Sequence, residues 1–395
     1  MSRYGVPKGG PAPEIPLFEE DADQVGRACA AGMQLADRQR WKDALEVVRD
    51  AVSRVESPGH LTPSGLPGSQ EHALYLHFSG PFPMEAYRRF LLPAGTCLHA
   101  VLDDFPLLYL IKGRCLRHLG RSEEAMAAYT AALAWNPMSP EAALGLTAAA
   151  REAGAHERVE PALVAGLTCS LTLTDAARFY GELALVADSK GDAQMAAALS
   201  AVGLALDPLC PVAYDESVYL EYRAPEAHRQ AQDLSQAVAL VSKAGLLLAP
   251  NRRYLQLAYQ LADEAEKNGS VGRAAYFLQS AQQLAPSSAT ANRVDKLATQ
   301  AAQLGQRTDG FDGFLGSGTF ISPVGAPQAG SAPDADPLAA LLAGAHDHRA
   351  PGSPMGTGQR PNALGGMPGV SFPGQSEPYQ GQGRTWLGRQ GRQRP

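Results

Sequence analysis

The stretch that decides the fold is Leu119–Pro137, "LGRSEEAMAAYTAALAWNP". Glu123 and Glu124 suit the first turn of a helix, where the positive end of the helix dipole favours acidic side chains. Gly120 stands where a preceding helix would end in a left-handed residue, and Pro137 stands where the new helix must stop. The stretch therefore predicts the second helix of a helical hairpin, with Ser122 as its N-cap.

The same spacing of small and apolar residues occurs four times along the chain. In the first of these units, steps of twelve, four, three and five residues lead from Gly113 to Ala125, Tyr129, Ala132 and Pro137. The other units are Ala184, Ala196, Ser200, Gly203 and Pro208; Ala262, Ala274, Leu278, Ala281 and Pro286; and, more weakly, Gly32, Ala44, Val48 and Ala51 with Pro58 two residues late. A fixed period of this kind predicts an array of repeated hairpins.

Close helix packing explains the spacing. Gly113 and Ala125 must be small because the two helices of one hairpin cross there at short range. Tyr129 and Ala132 would face the next hairpin, and the proline would end the second helix. Gly191 and Asp192 repeat the turn glycine and the N-cap in a later unit. Trp135 is predicted either to pack on the following hairpin or to remain half exposed.

With these residues the chain resembles the tetratricopeptide repeat family. The resemblance is strongest over Pro106–Met138, extends over Ala177–Pro208 and Leu255–Pro286, and is weak over Gln24–Pro58 and Asp233–Pro250. It implies an all-α fold, an α-α superhelix in which the first helices of the hairpins line a concave, partner-binding groove. The chain is also similar to uncharacterised bacterial proteins of this family. The asparagine of the family's carboxylate clamp has no counterpart here, so that activity is not expected.

Composition divides the chain into three parts. Residues 1–18 are rich in Gly and Pro and are predicted to be disordered, as are residues 304–395, where apolar periodicity vanishes. Residues 19–303 form the predicted repeat domain, interrupted by an insertion at about 59–105. The insertion holds the most aromatic stretch, "EHALYLHFSGPFPMEAYRRFLLP", and no strand is expected in it or elsewhere.

Charge and cysteine content narrow the function classes. A net charge of −6 and a pI near 5.9 argue against a protein dominated by nucleic-acid binding. The five cysteines are odd in number and have no metal-site spacing, which favours buried thiols in a reducing compartment. No secretory signal and no long apolar stretch is found, so we expect a cytoplasmic protein.

The predicted groove carries charged side chains of the first helices. They are Arg114, Arg117, Arg178, Asp188, Asp263 and Glu266. In that order the groove runs from basic to acidic, which suits an extended peptide of opposite polarity. The alternative is that these are ordinary solvated charges.

Catalysis finds little support in the sequence. Histidines are scattered without a partner at metal or relay spacing, and no phosphate-binding glycine loop follows a strand. An enzyme is considered only in the insertion, where His72, His77 and His99 cluster with Tyr75 and Tyr87. His118 is expected at a helix C-terminus as a cation. We therefore predict a protein that is not an enzyme and holds neither a metal nor a cofactor.

The C-terminal tail holds three further candidates. The segment "DADPLAALLAG" predicts a short helix with an apolar face made by Leu338, Leu341 and Leu342, or else a plain linker. "HDH" at His346–His348 offers two imidazoles to a metal, although a featureless tail is the preferred interpretation. The last residues could contact phosphates or anionic lipid through Arg384, Trp386, Arg389, Arg392 and Arg394.

The leading hypothesis from the sequence is a non-enzymatic scaffold or adaptor that binds a protein or peptide in the groove of the repeat array. The alternative is a nucleic-acid- or membrane-associated adaptor that acts through the Arg-rich tail. Neither the partner nor the oligomeric state follows from the sequence.

Overall fold

A computed structural model describes residues 19–57, 60–65, 73–101 and 103–309 and the backbone of 320–321, with side chains from residue 24 onward. These residues form fifteen α-helices and three short strands. The helices are α1 (Glu19–Asp37), α2 (Trp41–Val55), α3 (Pro81–Phe90), α4 (Phe105–His118), α5 (Ser122–Trp135), α6 (Pro140–Glu152), α7 (Val159–Cys169), α8 (Leu173–Ser189), α9 (Ala193–Leu206), α10 (Pro211–Arg223), α11 (Pro225–Ala231), α12 (Leu234–Lys243), α13 (Arg252–Lys267), α14 (Val271–Leu284) and α15 (Ser288–Gln303). The strands are β1 (Ala73–His77), β2 (Cys97–Val101) and β3 (Phe320–Ile321). The prediction of a predominantly α-helical protein is confirmed.

Five helical hairpins follow one another in the first part of the chain. They are α1–α2, α4–α5, α6–α7, α8–α9 and α10 with α11–α12, whose second limb is broken in two. Each hairpin packs on the next: α4 lies against α1 and α2, α6 against α5, α8 against α7, and α10 against α8 and α9. We call these five hairpins the stack.

Tyr129 lies between two glycines of neighbouring hairpins. A Cβ atom added to Gly113 on α4 would stand 2.9 Å from the Tyr129 ring, and one added to Gly145 on α6 would stand 2.3 Å from it. Ala125 and Ala132 on the same helix are fully buried. The prediction that Tyr129 faces the next hairpin is therefore confirmed. Only glycine leaves room for the ring on both sides.

The hairpin turns use the predicted glycines. Gly120 has φ +74° and Gly191 has φ +83°, the left-handed conformation that glycine adopts without steric cost. Asp192 caps α9 by accepting a hydrogen bond from the Met195 amide, as predicted. The prediction for Ser122 is wrong: it is the first residue of α5, and its hydroxyl lies 3.2 Å from a carboxylate oxygen of Glu152. Glu152 on the next hairpin offers the hydroxyl a stronger, charged acceptor than a backbone amide can provide.

Trp135 is buried, with 3% of its surface exposed. Its ring lies 4.7 Å from that of Phe105, at the start of α4 in the same hairpin. The half-exposed alternative is therefore wrong, because the two ends of the hairpin close over the indole.

The insertion forms a small β-α-β unit. Strands β1 and β2 are parallel, with Ala73 opposite Cys97 and His77 opposite Val101, and α3 connects them. The expectation that the chain has no strand is wrong here. Strands of five residues buried on both faces leave no clear alternation to read, because the sheet is covered on both sides. The backbone of β3 pairs antiparallel with the start of β2.

The last three helices leave the stack and pack on the insertion. Phe82 on α3 lies 6.5 Å from Phe277 on α14, and the Phe82 amide donates to the Tyr276 hydroxyl at 3.2 Å. Phe90 lies 5.6 Å from Tyr254 on α13, whose hydroxyl donates to the Thr168 carbonyl at the end of α7. A second hydrophobic core forms between the insertion and α13–α15, separate from the core of the stack.

Ser200 on α9 occupies the repeat position held by Tyr129, Leu278 and Val48 in other units. It is 1% exposed, and its hydroxyl finds no hydrogen-bond partner among the described residues. We expect Ser200→Ala to raise the free energy of unfolding by about 1 kcal/mol, because it removes a buried unsatisfied hydroxyl and favours the helix. Urea unfolding of the purified variant measures this change.

Ser280 on α14 provides a matched control for this substitution. It is similarly buried, but its hydroxyl donates to the Tyr276 carbonyl at 3.2 Å. Ser280→Ala is therefore expected to leave the free energy of unfolding unchanged or to lower it. Equal gains in both variants would show that helix propensity, and not the unsatisfied hydroxyl, sets the effect.

Buried tyrosines predict a loss of stability at alkaline pH. Burial raises the pKa of six tyrosine hydroxyls in the described residues, to about 12 for Tyr180; the others are Tyr87, Tyr109, Tyr129, Tyr254 and Tyr276. In the unfolded chain a tyrosine hydroxyl has a pKa of about 10, so below pH 10 the six buried hydroxyls contribute fully to the free energy of unfolding. Above it the free energy of unfolding should fall by roughly 1.4 kcal/mol per pH unit for each such tyrosine, until the folded pKa is passed.

Urea unfolding at a series of pH values between the neutral and the alkaline range measures this slope. Tyr180→Phe should make the slope shallower, because it removes one of the titrating hydroxyls. A free energy of unfolding that stays constant across the tyrosine range would contradict the expected titration.

Candidate functional site

Ion pairs join the first helices of successive hairpins at four junctions of the stack. The pairs are Asp37–Arg114 at 3.7 Å, Arg117–Glu152 at 3.1 Å, Arg151–Glu182 and Asp188–Arg223. They link α1 to α4, α4 to α6, α6 to α8 and α8 to α10. We call these eight residues the charge ladder.

The ladder follows from where its arginines stand in the helices. Arg117, Arg151 and Arg223 lie in the last turn of α4, α6 and α10, where the negative end of the helix dipole favours a cation. Each arginine reaches a carboxylate on the adjacent first helix. Most of these side chains are partly exposed, so each pair is worth only about 0–1 kcal/mol to the folded state.

An aromatic cluster covers one end of the ladder. Trp41, at the start of α2, stacks on His118 with ring centres 3.9 Å apart and nearly parallel planes. The Arg114 guanidinium lies 5.4 Å from the centre of the Trp41 ring, within range of a cation–π interaction. Burial and the neighbouring Arg117 and Arg114 lower the pKa of His118. His118 does end α4 as predicted, but the neutral form is favoured and the expectation of a cation there is wrong.

The structure separates the six charged residues predicted to line the groove. Arg114, Arg117 and Asp188 belong to the charge ladder. Arg178 stands near the start of α8 and lies 4.0 Å from Asp175 of its own helix. Asp263 and Glu266 on α13 share Arg293 of α15, at 2.6 and 2.9 Å, outside the stack. All six are in ion pairs, so the predicted change from basic to acidic is offset by opposite charges; their role in binding stays a prediction.

Five ladder residues had no place in the sequence prediction. They are Asp37, Arg151, Glu152, Glu182 and Arg223. Their pattern is present in the sequence as opposite charges about one repeat apart, at separations of 31 residues for Arg151–Glu182 and 35 for Arg223–Asp188. Such opposite charges can be recognised as ion pairs only once the repeat register is known.

A cleft of about 200 Å³ is lined by both helices of the first hairpin and by the start of α4. Val25, Ala28, Val47, Ala51 and Phe105 contribute its apolar floor. Charged and polar side chains also line it: Gln24, Arg27, Asp50, Arg54 and His60. Its volume is below the roughly 300–1,000 Å³ typical of small-molecule sites, and matches an inserted side chain better than a cofactor.

The insertion brings His77 and His99 onto the neighbouring strands β1 and β2. His99 stacks on Tyr75 at 4.5 Å, and a ring nitrogen of His77 lies 3.2 Å from the Val101 carbonyl oxygen. Tyr87 packs near Phe78, and burial raises its pKa. In the part of the chain that the structure describes, no three His, Cys, Asp or Glu side chains converge as metal ligands. His72 lies outside that part.

Asp104 lies within reach of His77, and its side chain serves as the N-cap of α4. Its side chain accepts the Leu107 amide as the N-cap, while His77 approaches it at 3.7 Å. The Cys29 thiol lies 3.9 Å from the Asp104 carbonyl oxygen. Burial and Asp104 raise the pKa of Cys29 to about 12, so the thiolate that nucleophilic catalysis requires is strongly disfavoured.

The candidates in the tail lie outside the described residues. This applies to the predicted disordered segment 1–18, to the predicted disordered segment 304–395 apart from residues 304–309 and the backbone of 320–321, and to the His346–His348 motif. It also applies to Leu338, Leu341, Leu342, Arg384, Trp386, Arg389, Arg392 and Arg394.

Comparison with known proteins gives no match, either to a protein-family model or to a curated protein. Across the described ranges, none of the helices combines the length and the apolar character needed to cross a bilayer. The proposed function is therefore based on the geometry of the stack, the cleft and the insertion.

Proposed function

We propose that this chain is a non-enzymatic scaffold similar to tetratricopeptide repeat proteins. Its hairpins would form an α-α superhelix whose first helices line a concave groove for a protein or peptide. The charge ladder is the observation that carries the proposal, because it aligns paired charges along the first helices of five consecutive hairpins.

Weak, exposed ion pairs suit a binding surface. Pairs such as Asp37–Arg114 and Arg117–Glu152 are partly exposed, so little folding free energy depends on them. An extended peptide with alternating charges can therefore take over one partner of each pair at small cost. Such contacts select the register and polarity of the peptide more than they add raw affinity.

The aromatic cluster gives the ladder a point of stronger contact. The Trp41 ring holds the Arg114 guanidinium from one side. A guanidinium fixed in this way loses less side-chain entropy when it binds a carboxylate by two hydrogen bonds. We therefore place an acidic residue of the partner at Arg114.

The thiols support an intracellular, structural interpretation. All five cysteines are free, and burial raises the pKa of Cys29, Cys115, Cys169 and Cys210. They are suited to a reducing compartment, and we propose the cytoplasm. Protonated, buried thiols are poor nucleophiles, so these four cysteines do not argue for catalysis.

Exchanging the charges of one ladder pair tests the groove. The double variant Arg117→Glu with Glu152→Arg keeps an ion pair but reverses its polarity, so its free energy of unfolding should stay within about 1 kcal/mol of the parent. Affinity capture from the native cell, read by mass spectrometry, should lose the specific partner. Combined reversal at Arg114, Asp263 and Glu266 extends the test to the remaining predicted groove charges.

The matched control exchanges an exposed pair that lies on no first helix. Arg229 and Glu226 on α11 form such a pair, and Arg229→Glu with Glu226→Arg should leave capture unchanged. If the ladder variant and the control captured the same partners in equal amounts, the groove proposal would fail. Gel-shift and liposome assays on the full chain and on a chain ending at Thr308 test the alternative adaptor role of the tail.

A further inference from the structure

Helix α10 is the first helix of the fifth and last hairpin of the stack, so no following hairpin covers its far side. Its other side meets α8: a Cβ added to Gly181 would stand 3.1 Å from Val212, and Arg223 pairs with Asp188. Tyr214 and Val218 lie on the opposite side of the helix, at 57% and 36% exposure. Every earlier junction of the stack covers the corresponding surface with the next hairpin.

The chain does not continue the stack beyond α12. After residue 250 it passes to the insertion, where α13 packs on α14 and α3. Leu209 and Tyr222 add to the exposed apolar surface, at 87% and 82% exposure. Terminal repeats normally present a polar outer face, so a run of exposed tyrosines at this end marks an interaction surface.

Acidic side chains border this surface. Asp215 and Glu221 are exposed on α10 and form no ion pair among the described residues. At the four earlier junctions an arginine meets a carboxylate from the adjoining helix, as in Arg117–Glu152. The occupant of the α10 surface should therefore supply basic groups around an apolar recess. We call Leu209, Tyr214, Asp215, Val218, Glu221 and Tyr222 the α10 face.

The opposite end of the same stack offers a recess of that kind. The cleft on the first hairpin has an apolar floor that includes Val25, Val47 and Phe105, with Arg27 and Arg54 among the side chains that line it. Arg27 and Arg54 supply the cationic groups of this lining, and Asp50 lies there too. Its volume of about 200 Å³ suits one inserted side chain, such as an exposed tyrosine of the α10 face.

From these two ends we propose that the chain associates with a second copy of itself head to tail. The α10 face of one copy docks on the first-hairpin cleft of the next, with a tyrosine in the cleft and Asp215 and Glu221 near Arg27 and Arg54. A symmetric pairing of two α10 helices is disfavoured, because antiparallel contact about Val218 would set Asp215 against Glu221. A heterologous contact leaves one free face at each end, so the assembly grows beyond a dimer.

Sedimentation velocity of the full chain from low to high micromolar concentration tests this proposal. The weight-average mass should rise with concentration past that of a dimer, and the rise should weaken with added salt. Tyr214→Ser with Tyr222→Ser should weaken association by roughly tenfold or more, as loss of interface tyrosines does. Glu123→Lys, an exposed acid on α5, is the matched control and should change nothing.

Mixing two charge-reversed variants distinguishes head-to-tail contact from any other self-association. One variant carries Asp215→Lys and Glu221→Lys, and the other carries Arg27→Glu and Arg54→Glu. Each alone should remain monomeric, because its α10 face and its cleft then carry like charges. Their equimolar mixture should associate in alternation and grow past a dimer, because both contacts in the mixture join opposite charges. Circular dichroism and thermal melting confirm that both variants fold.

The proposal would be overturned if the parent chain stayed monomeric at every concentration, even if another segment of the chain covered the cleft. So would association that persists unchanged in both charge-reversed variants. Neither outcome depends on partner capture by the charge ladder, so failure here leaves the scaffold proposal to its own test.

Discussion

Replacing Tyr129 with alanine is expected to lower the free energy of unfolding by roughly 3–5 kcal/mol. The ring is 3% exposed and fills the space between Gly113 on α4 and Gly145 on α6. Its loss would open a cavity at the junction of two hairpins, where neither glycine has a side chain to fill it. Urea unfolding of the parent and the variant measures the change, and Tyr129→Phe, which keeps the ring, should cost under about 1 kcal/mol.

A double-mutant cycle with Gly145 separates ring contact from other effects. Gly145→Ala alone should cost roughly 1–3 kcal/mol, because its Cβ would stand 2.3 Å from the Tyr129 ring. With Tyr129→Ala already present, the same change should instead stabilise α6 by up to about 1 kcal/mol, the helix propensity of alanine over glycine. Additive effects of the two substitutions would show that the ring does not occupy the space between the glycines.

The second large effect is expected at Tyr180, which holds the segment leading out of the stack. Its hydroxyl donates to the Leu247 carbonyl at 2.5 Å and accepts from the Ala249 amide at 3.1 Å. Tyr180→Phe should cost roughly 1–3 kcal/mol because it leaves both backbone groups without this partner, and Tyr180→Ala should cost roughly 3–5 kcal/mol because the ring is fully buried.

Hydrogen exchange at the Ala249 amide provides a local measurement for this prediction. The amide is buried, and in Tyr180→Phe its protection should fall more than that of amides in α8. Tyr222→Phe is the control, since its side chain is 82% exposed and its hydroxyl is already hydrated. A loss confined to global stability, with no added exchange at Ala249, would show that the hydroxyl does not hold this segment.

Local sequence patterns predicted the hairpins well because the relevant forces are short in range. Gly120 and Gly191 were found from their place after a helix, and both adopt positive φ. The repeat spacing predicts that Tyr129 faces the next hairpin, and its ring lies against Gly145 there. Ser122 is predicted as the N-cap of α5 but is the first residue of that helix, because a carboxylate of the next hairpin competes for its hydroxyl.

The candidate surfaces were harder to predict, since they join residues far apart in the chain. Asp37 meets Arg114 across the whole insertion, and nothing local to either residue indicates the pair. The sequence does not predict the strands of the insertion, because burial on both faces removes the alternation that marks a strand. The exposure of the α10 face also depends on a distant part of the chain, because α13 packs on the insertion and not on the stack.

Periodicity in the sequence is enough to predict the helical class, the turns and the register of the hairpins, because it shows which face of each helix is apolar. What covers each face depends on tertiary packing. Helices α13 and α14 carry the same repeat spacing as α4–α5, yet with α15 they pack in a core shared with α3 and the strands and leave Tyr214 and Tyr222 exposed. An apolar face can pack against any surface of matching shape, so its partner is chosen by the whole chain and not by the repeat.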